Sequence, residues 1–413
     1  MLVRRDNDIV TIKSLENPST VDEFIYVIRD GCYNRGYNSI ILQFKNCKAR
    51  FPNVVAPITG IIDTLMEQGY EFKVKGLYPR NIAQNILNPL EITEANLSNY
   101  PVFNYVWKFS SEHLYKLQRK IITELSKEEH FGKDVIETLD YVLGEVMDNV
   151  LIHSNNEFGY FMGQVHRSRH YIAFTIFDSG QGIYNSFKGS SHRPNSELDA
   201  ITLALREGIT SGAGKGNGLF GLHSVVKLAN GIMNVTSGQA SYQYLNGDEL
   251  CLQNKQYLSS EHKSTIIDFQ LDYTLEHNLG DALVFNGVKV DLVNLRLEEM
   301  SDDNDVYIYK IDEESEGTGT RPAARKVFND IMNILETKPQ KIVIDFERTN
   351  IISSSYADEL IARLFVTLGL FQFMHLIALK NLDYSKQVII QRAIYQRVQD
   401  ISFTKNIGDD SEK

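Results

Sequence analysis

The sequence predicts a multidomain chain of α/β and α+β units, and three observations lead there. At 413 residues the chain is longer than one small core would use, which suggests two or three domains. Near each end a compact apolar strand, a helix, a glycine and a second strand follow in order, beginning at SIILQF and again at KIVIDF. That succession with short connections builds a parallel sheet. Between these ends long helices and strands alternate in an α+β pattern.

The elements follow in chain order. Val21–Arg35 predicts a helix, Ser39–Phe44 a buried strand, Val54–Gln68 a helix ended by Gly69, and Glu71–Val74 a second strand. These make a first unit over residues 1–80. Pro79, Pro89 and Pro101, with several asparagines among them, predict a linker at 81–100. A central unit at 101–275 would hold helices at Ser111–Glu129 and Asp134–His153 and strands at Tyr160–Val165 and Tyr171–Phe177. A glycine- and serine-rich stretch follows from Asp178 to Gly221. A helix at Leu219–Ala229 and strands at Ile232–Ser237, Gln243–Leu245 and Thr265–Leu271 complete it. A third unit at 282–400 would hold a strand at Lys341–Phe346, a helix at Ser355–Leu368, Gly369, and a strand at Phe371–Leu379, with a tail at 401–413.

Composition narrows the function classes. A net charge of −11 gives no general attraction to nucleic acid or to an anionic membrane. The basic groups are short, as at Lys45–Arg50 and Arg321–Lys326. The three cysteines, Cys32, Cys47 and Cys251, form no CxxC pair, so neither a disulfide framework nor a zinc site is indicated. The first residues, MLVRRDNDIV, turn charged at once, unlike a secretory signal. The apolar run Leu364–Leu379 is interrupted by Thr367, Gly369, Gln372 and His375 and falls short of the roughly 20 residues that cross a bilayer. The expectation is a reduced, cytoplasmic protein without a membrane partner.

Three motifs carry chemistry. In LGEVMDNVLIHS, helical spacing puts Leu143, Val146, Met147 and Val150 on one face and Glu145, Asp148 and Asn149 on the other. Glu145 and Asn149 project side by side, one turn apart. In DSGQGI (178–183), an aspartate at a strand end is followed by two spaced glycines that let backbone approach a ligand closely. In SGAGKGNGLFGL (211–222), a glycine-rich loop runs into a helix, an arrangement suited to phosphate. It is not a Walker loop, because GKG lacks the following Ser/Thr. Taken singly, each motif also fits a bland reading: a solvated helix face, an ordinary turn, a flexible loop.

In this order and spacing the three resemble the N box and two glycine boxes of the gyrase, heat-shock chaperone, histidine kinase and mismatch-repair (GHKL) superfamily. Its ATP-binding domain is the Bergerat α/β sandwich. The boxes here are Glu145–Asn149, Asp178–Gly182 and Gly216–Gly221, within the middle two-fifths of the chain. The resemblance implies ATP and Mg²⁺ as ligands, with the amide oxygen of Asn149 on the metal and Asp148 beside the nucleotide. Asp178 would read adenine, with Gly180, Gly182 and Ile183 lining the base. Lys215, Gly216, Gly218, Leu219 and Gly221 would form a lid over the phosphates. Thr265 stands where the family often has a threonine near the nucleotide, although the usual preceding glycine is Ser264 here. Glu145 would be the general base, activating water in an ATPase or an acceptor group in a kinase. His153 is common in the serine-kinase branch and also reads as a structural residue at a helix end.

KIVIDFERTNIISSSYADELIARLF resembles a STAS-like domain, the fold of anti-sigma-factor antagonists. Alignment makes Ser354 the candidate phosphoacceptor, although Ser353 stands where an aspartate is usual and Tyr356 where a glycine is. Serines at a helix start also serve as N-caps. The first unit has Phe51-Pro-Asn-Val at the equivalent place, so it resembles a STAS-like copy without an acceptor. Together these imply small STAS-like domains on either side of the central sandwich. Three functions follow: an ATPase switching what its STAS-like domains bind, a serine/threonine kinase acting on Ser354 or a STAS-like partner, or an ATP-binding scaffold without turnover. The implied partners are STAS-like or sigma/anti-sigma-like proteins and a second copy of the chain.

Overall fold

The computed structural model describes residues 1–409 apart from 46, 48, 77–84, 129–130, 133, 155–156, 189, 210–216, 276–277, 286, 291–305, 316 and 338–340. The chain divides into two units, Met1–Val290 and Asp291–Lys413, both mixed α/β.

The first unit opens with an antiparallel hairpin, β1 (Val3–Asp6) and β2 (Ile9–Ile12), turned at Asn7 in the left-handed conformation asparagine tolerates. This hairpin was not expected, because each strand has only four residues and β1 reads VRRD. Helix α1 (Ser19–Arg29) leads to β3 (Ser39–Phe44), and helix α2 (Pro52–Glu67) leads to β4 (Glu71–Lys75). As the sequence predicts, these strands run parallel, β2 beside β3 and β3 beside β4. Ile40, Leu42 and Phe44 alternate into the core.

An eight-stranded sheet follows: β5 (Leu90–Glu91), β6 (Trp107–Phe109), β7 (Gly159–His166), β8 (Tyr171–Asp178), β9 (Ile232–Ser237), β10 (Ala240–Leu245), β11 (Asp248–Leu252) and β12 (Thr265–Asp272). Their order is β11-β10-β9-β12-β8-β7-β6-β5, antiparallel except where β5 meets β6. β12 pairs with β8 and β9 in a register that sets Thr265 opposite both Asp178 and Ser237.

Side-chain alternation separates the two faces of this sheet. Tyr160, Met162, Phe177 and Ile266 join the same core as the N-terminal sheet. The bridge is α2, which packs on α1 and β4 and also on β7, β8 and β12. Twelve of its sixteen residues are buried, as expected for a helix apolar all round. Gly60 permits the close approach, since a Cβ there would lie 2.3 Å from the Phe177 ring.

The remaining helices are α3 (Glu94–Asn99), α4 (Leu114–Leu125), α5 (Val135–His153), α6 (Gly182–Ser186), α7 (Glu197–Ala204) and α8 (Gly218–Leu228). α5 and α8 pack on each other, α5 against β7 and β8, α8 against β9 and β12. The hairpin β13 (Val284–Phe285) and β14 (Val288–Lys289) closes the unit, with Phe285 set against Tyr141 and Phe220.

In the second unit, β15 (Tyr307–Lys310), β16 (Ile342–Asp345) and β17 (Ile377–Lys380) form a parallel sheet in that order. Helix α9 (Arg321–Thr337), the helical stretch α10 (Ser354–Leu376) and helix α11 (Tyr384–Asp409) accompany it. The expected strand Phe371–Leu379 is corrected here. α10 breaks at Gly369, with φ +74°, then resumes as helix to Leu376, and only Ile377–Lys380 pairs with β16. A short, mostly apolar run satisfies helix and buried strand alike, so spacing could not separate them. By length and composition α10 could cross a bilayer, yet Tyr356, Leu360, Ile361 and Leu364 are buried in this unit's core.

Candidate functional site

The row of residues at the common end of β8, β12 and β9 floors a cleft. Asp178 and Thr265 line it from the sheet, and Val146, Asn149, Val150 and His153 line it from α5. Gly182, Ile183, Ser186 and Phe187 close one side, and Gly218 and Leu219 reach in from the start of α8. The space measures about 690 Å³ including its open mouth.

Asp178 is 2% exposed. Burial pushes its carboxyl up to about 7, against the opposing hydrogen bonds from the Gly180 N–H and the Thr265 hydroxyl. The Gly180 N–H donates to Asp178 Oδ1 at 2.8 Å. The loop after Asp178 is stitched on several sides. Gln181 Nε2 donates to the His153 carbonyl at 2.8 Å, and the Gln181 N–H to the Ser154 carbonyl at 2.9 Å. The Ile183 N–H donates to Ser237 Oγ at 2.8 Å. Glycine is required at two positions. A Cβ on Gly180 would lie 2.2 Å from the Ser154 carbonyl oxygen, and Gly182 has φ +76°.

Asn149 and Gly218 are in intimate contact: a Cβ on Gly218 would lie 2.2 Å from Asn149 Nδ2 and 3.2 Å from Glu145 Cβ. Glu145 therefore stands under the start of α8, one turn back from Asn149, outside the residues lining the cleft. Burial, with the Glu145 carboxylate adding to it, raises the Tyr141 phenol. Asp148 is exposed and does not line the cleft. Burial lowers the His153 imidazole, opposed by the Asp148 carboxylate. Lys215 and Gly216 lie outside the described residues. A Cβ on Gly221 would meet Leu283 and Phe285 at ordinary contact distance. Ser264, where the sequence resemblance leads one to expect glycine, adopts φ +56°. That is the conformation a glycine would supply at no steric cost.

Among the described residues no three His, Cys, Asp or Glu side chains gather as a metal site. A hard cation in the cleft would find a side-chain amide oxygen on Asn149.

The sequence reading missed one wall. Ala204 and Ile209 line the cleft from α7 and the segment after it. Glu197 pins α7 by accepting from the Gln239 N–H at 2.6 Å and pairing with Lys263. Its signal was legible in SELD, where Ser196 Oγ accepts the Asp199 N–H at 3.1 Å as a helix N-cap.

In the second unit Ser353, not Ser354, caps α10. Its Oγ accepts the Tyr356 N–H at 3.0 Å and lies 3.0 Å from Ser355 Oγ. Ser354 is exposed at the first helical position. Tyr356 is fully buried, its hydroxyl donating to Ser315 Oγ at 2.8 Å.

A family described as a STAS-like domain of unknown function (DUF4325) matches residues 323–387. The C-terminal unit thus carries a STAS-like domain. No curated protein matches the chain.

Proposed function

We propose that Met1–Val290 binds Mg·ATP as a GHKL-type (Bergerat) unit and hydrolyses it to switch the interactions of the STAS-like domain. One observation carries this reading: Asn149, Asp178, Gly182, Gly218 and Thr265, far apart in sequence, line a single cleft. The adenine amino group would donate to Asp178, whose Oδ1 is already oriented by Gly180. Ile183, Phe187, Ile209 and Ile267 offer apolar surface to the base. Asn149 and the start of α8 would receive the phosphate end, where a helix N-terminus favours anions. Bound Mg²⁺ supplies neutralisation of the triphosphate. The resemblance assigns the proton of the attacking water to Glu145, which stands one turn back from Asn149 and outside the cleft lining. A cytoplasmic location and pairing with STAS-like or sigma/anti-sigma-like proteins, or a second copy, belong to the same proposal.

The exposure of Ser354 favours a second reading. Because Ser353 provides the cap, Ser354 is left to accept a phosphoryl group, and the chain would be a serine/threonine kinase acting on itself or on a STAS-like partner. A non-catalytic ATP-binding scaffold is the third. Incubation with γ-labelled ATP and Mg²⁺ separates them. Released phosphate supports the ATPase, and label on protein that Ser354→Ala removes supports the kinase. Bound nucleotide with neither supports the scaffold. Glu145→Ala should retain binding and lose turnover; wild-type rates in that variant would remove its role as base.

A further inference from the structure

The loop that holds Asp178 is braced from behind by the N-terminal module. Ser179, between Asp178 and Gly180, is 2% exposed, and its Oγ shares a 2.7 Å hydrogen bond with the Thr64 hydroxyl of α2. Thr64 is itself 4% exposed. A second brace is a chain of donors. The Tyr33 hydroxyl donates to Gln68 Oε1 at 3.1 Å, which turns Gln68 Nε2 toward His262 Nε2 at 2.9 Å. With that ring nitrogen accepting, the proton lies on His262 Nδ1, which donates to the Ser179 carbonyl at 2.8 Å. Both braces end on one residue, beside the buried carboxylate.

Resting on the nucleotide reading above, we infer that Thr64, Gln68 and His262 are positioning residues for base recognition. The N-terminal module thereby sets how well the pocket selects an adenine nucleotide. α2 could have packed on the sheet through its apolar residues alone. The polar contacts instead reach the backbone and side chain of Ser179, the residue next to Asp178. A buried hydroxyl left without its partner relaxes toward another, and the loop moves with it. Anything that shifts α2, including a partner on the N-terminal sheet, would change discrimination among bases.

The test is calorimetric titration of the full chain with Mg·ATP and Mg·GTP for the wild type, Thr64→Val, Thr64→Ser and Gln68→Ala. Thr64→Val keeps the side-chain shape and removes the hydroxyl. It should weaken ATP roughly tenfold and lower the ATP-to-GTP preference by a similar factor, with Thr64→Ser restoring both. Gln68→Ala, on exposed ground, should lower the preference in the same direction, and it keeps the test valid if Thr64→Val does not fold. ATP affinity and preference within twofold of wild type in the folded variants would overturn the inference. So would equal loss of ATP and GTP. A wild type that binds neither nucleotide would overturn the nucleotide reading, and this inference with it.

Discussion

If Asp178 recognises an exocyclic amino group, binding must depend on its ionisation, and the structure fixes the direction. In the free protein burial holds this carboxyl up to about 7, so roughly half is neutral at pH 7. The ionised carboxylate is the stronger acceptor for an amino donor, because in the neutral acid the carbonyl oxygen would take the Gly180 N–H and leave a hydroxyl toward the ligand. Binding should therefore weaken as pH falls, with about a tenth of the sites ionised at pH 6 and about nine-tenths at pH 8. Affinity for adenosine, which has no phosphate to titrate in this range, should fall about tenfold from pH 8 to pH 6 in calorimetry. Stability of the free protein runs the other way. With the folded value raised above 3.8, this group's contribution is fully present below about pH 4 and gone once pH passes about 7. A rise of about three pH units corresponds to on the order of 4 kcal/mol. Asp268, pushed up to about 6 mainly by burial, adds in the same direction. Asp178→Asn supplies the control. Its amide oxygen would take the Gly180 N–H and turn an NH₂ toward the ligand's own NH₂, so adenosine affinity should fall at least about tenfold. Affinity that stays flat between pH 6 and 8, or survives in Asp178→Asn, would refute the role.

Gly218→Ala should weaken Mg·ATP binding about tenfold or more, because its Cβ would fall 2.2 Å from Asn149 Nδ2. Gly221→Ala should bind within about twofold of wild type and melt at the same or a higher temperature, since alanine suits a helix better by ~0.5–1 kcal/mol. Ser264→Gly should leave binding unchanged and raise stability in denaturant titration by about 1 kcal/mol at most, because φ is +56° there. Ser353→Ala should cost about 1 kcal/mol as a lost cap, whereas Ser354→Ala should cost under about 0.5 kcal/mol, measured by thermal melts of the full chain.

How much of this was legible varies by element. The strand Ser39–Phe44 announced itself as a compact apolar run, and the helix expected at Asp134–His153 did so because its period matches one buried face. The three motifs could be placed on their elements, but only tertiary folding could show which members share a cleft. Asn149 and Asp178 do; Asp148 points outward, and Glu145 stands behind. Helix α2 was legible as a helix from apolar residues at helical spacing, which by itself points to one buried face. Nothing in local spacing could say that a second layer, β7, β8 and β12, also packs on it. The misread strand at Phe371–Leu379 arose because a short, mostly apolar run fits a helix and a buried strand alike, and Gly369 redirects the helix without ending it. Ser264 shows the converse. A departure from the expected glycine changed the residue and left the left-handed backbone it must adopt.

The central claim is that one cleft holds a metal-bound nucleotide through Asn149. Titration of the wild type and Asn149→Ala with ATP, with and without Mg²⁺, tests it most directly. The account predicts saturable one-to-one binding that requires Mg²⁺ and disappears in Asn149→Ala. Undiminished affinity in that variant, or no binding of ATP by the wild type, would contradict it.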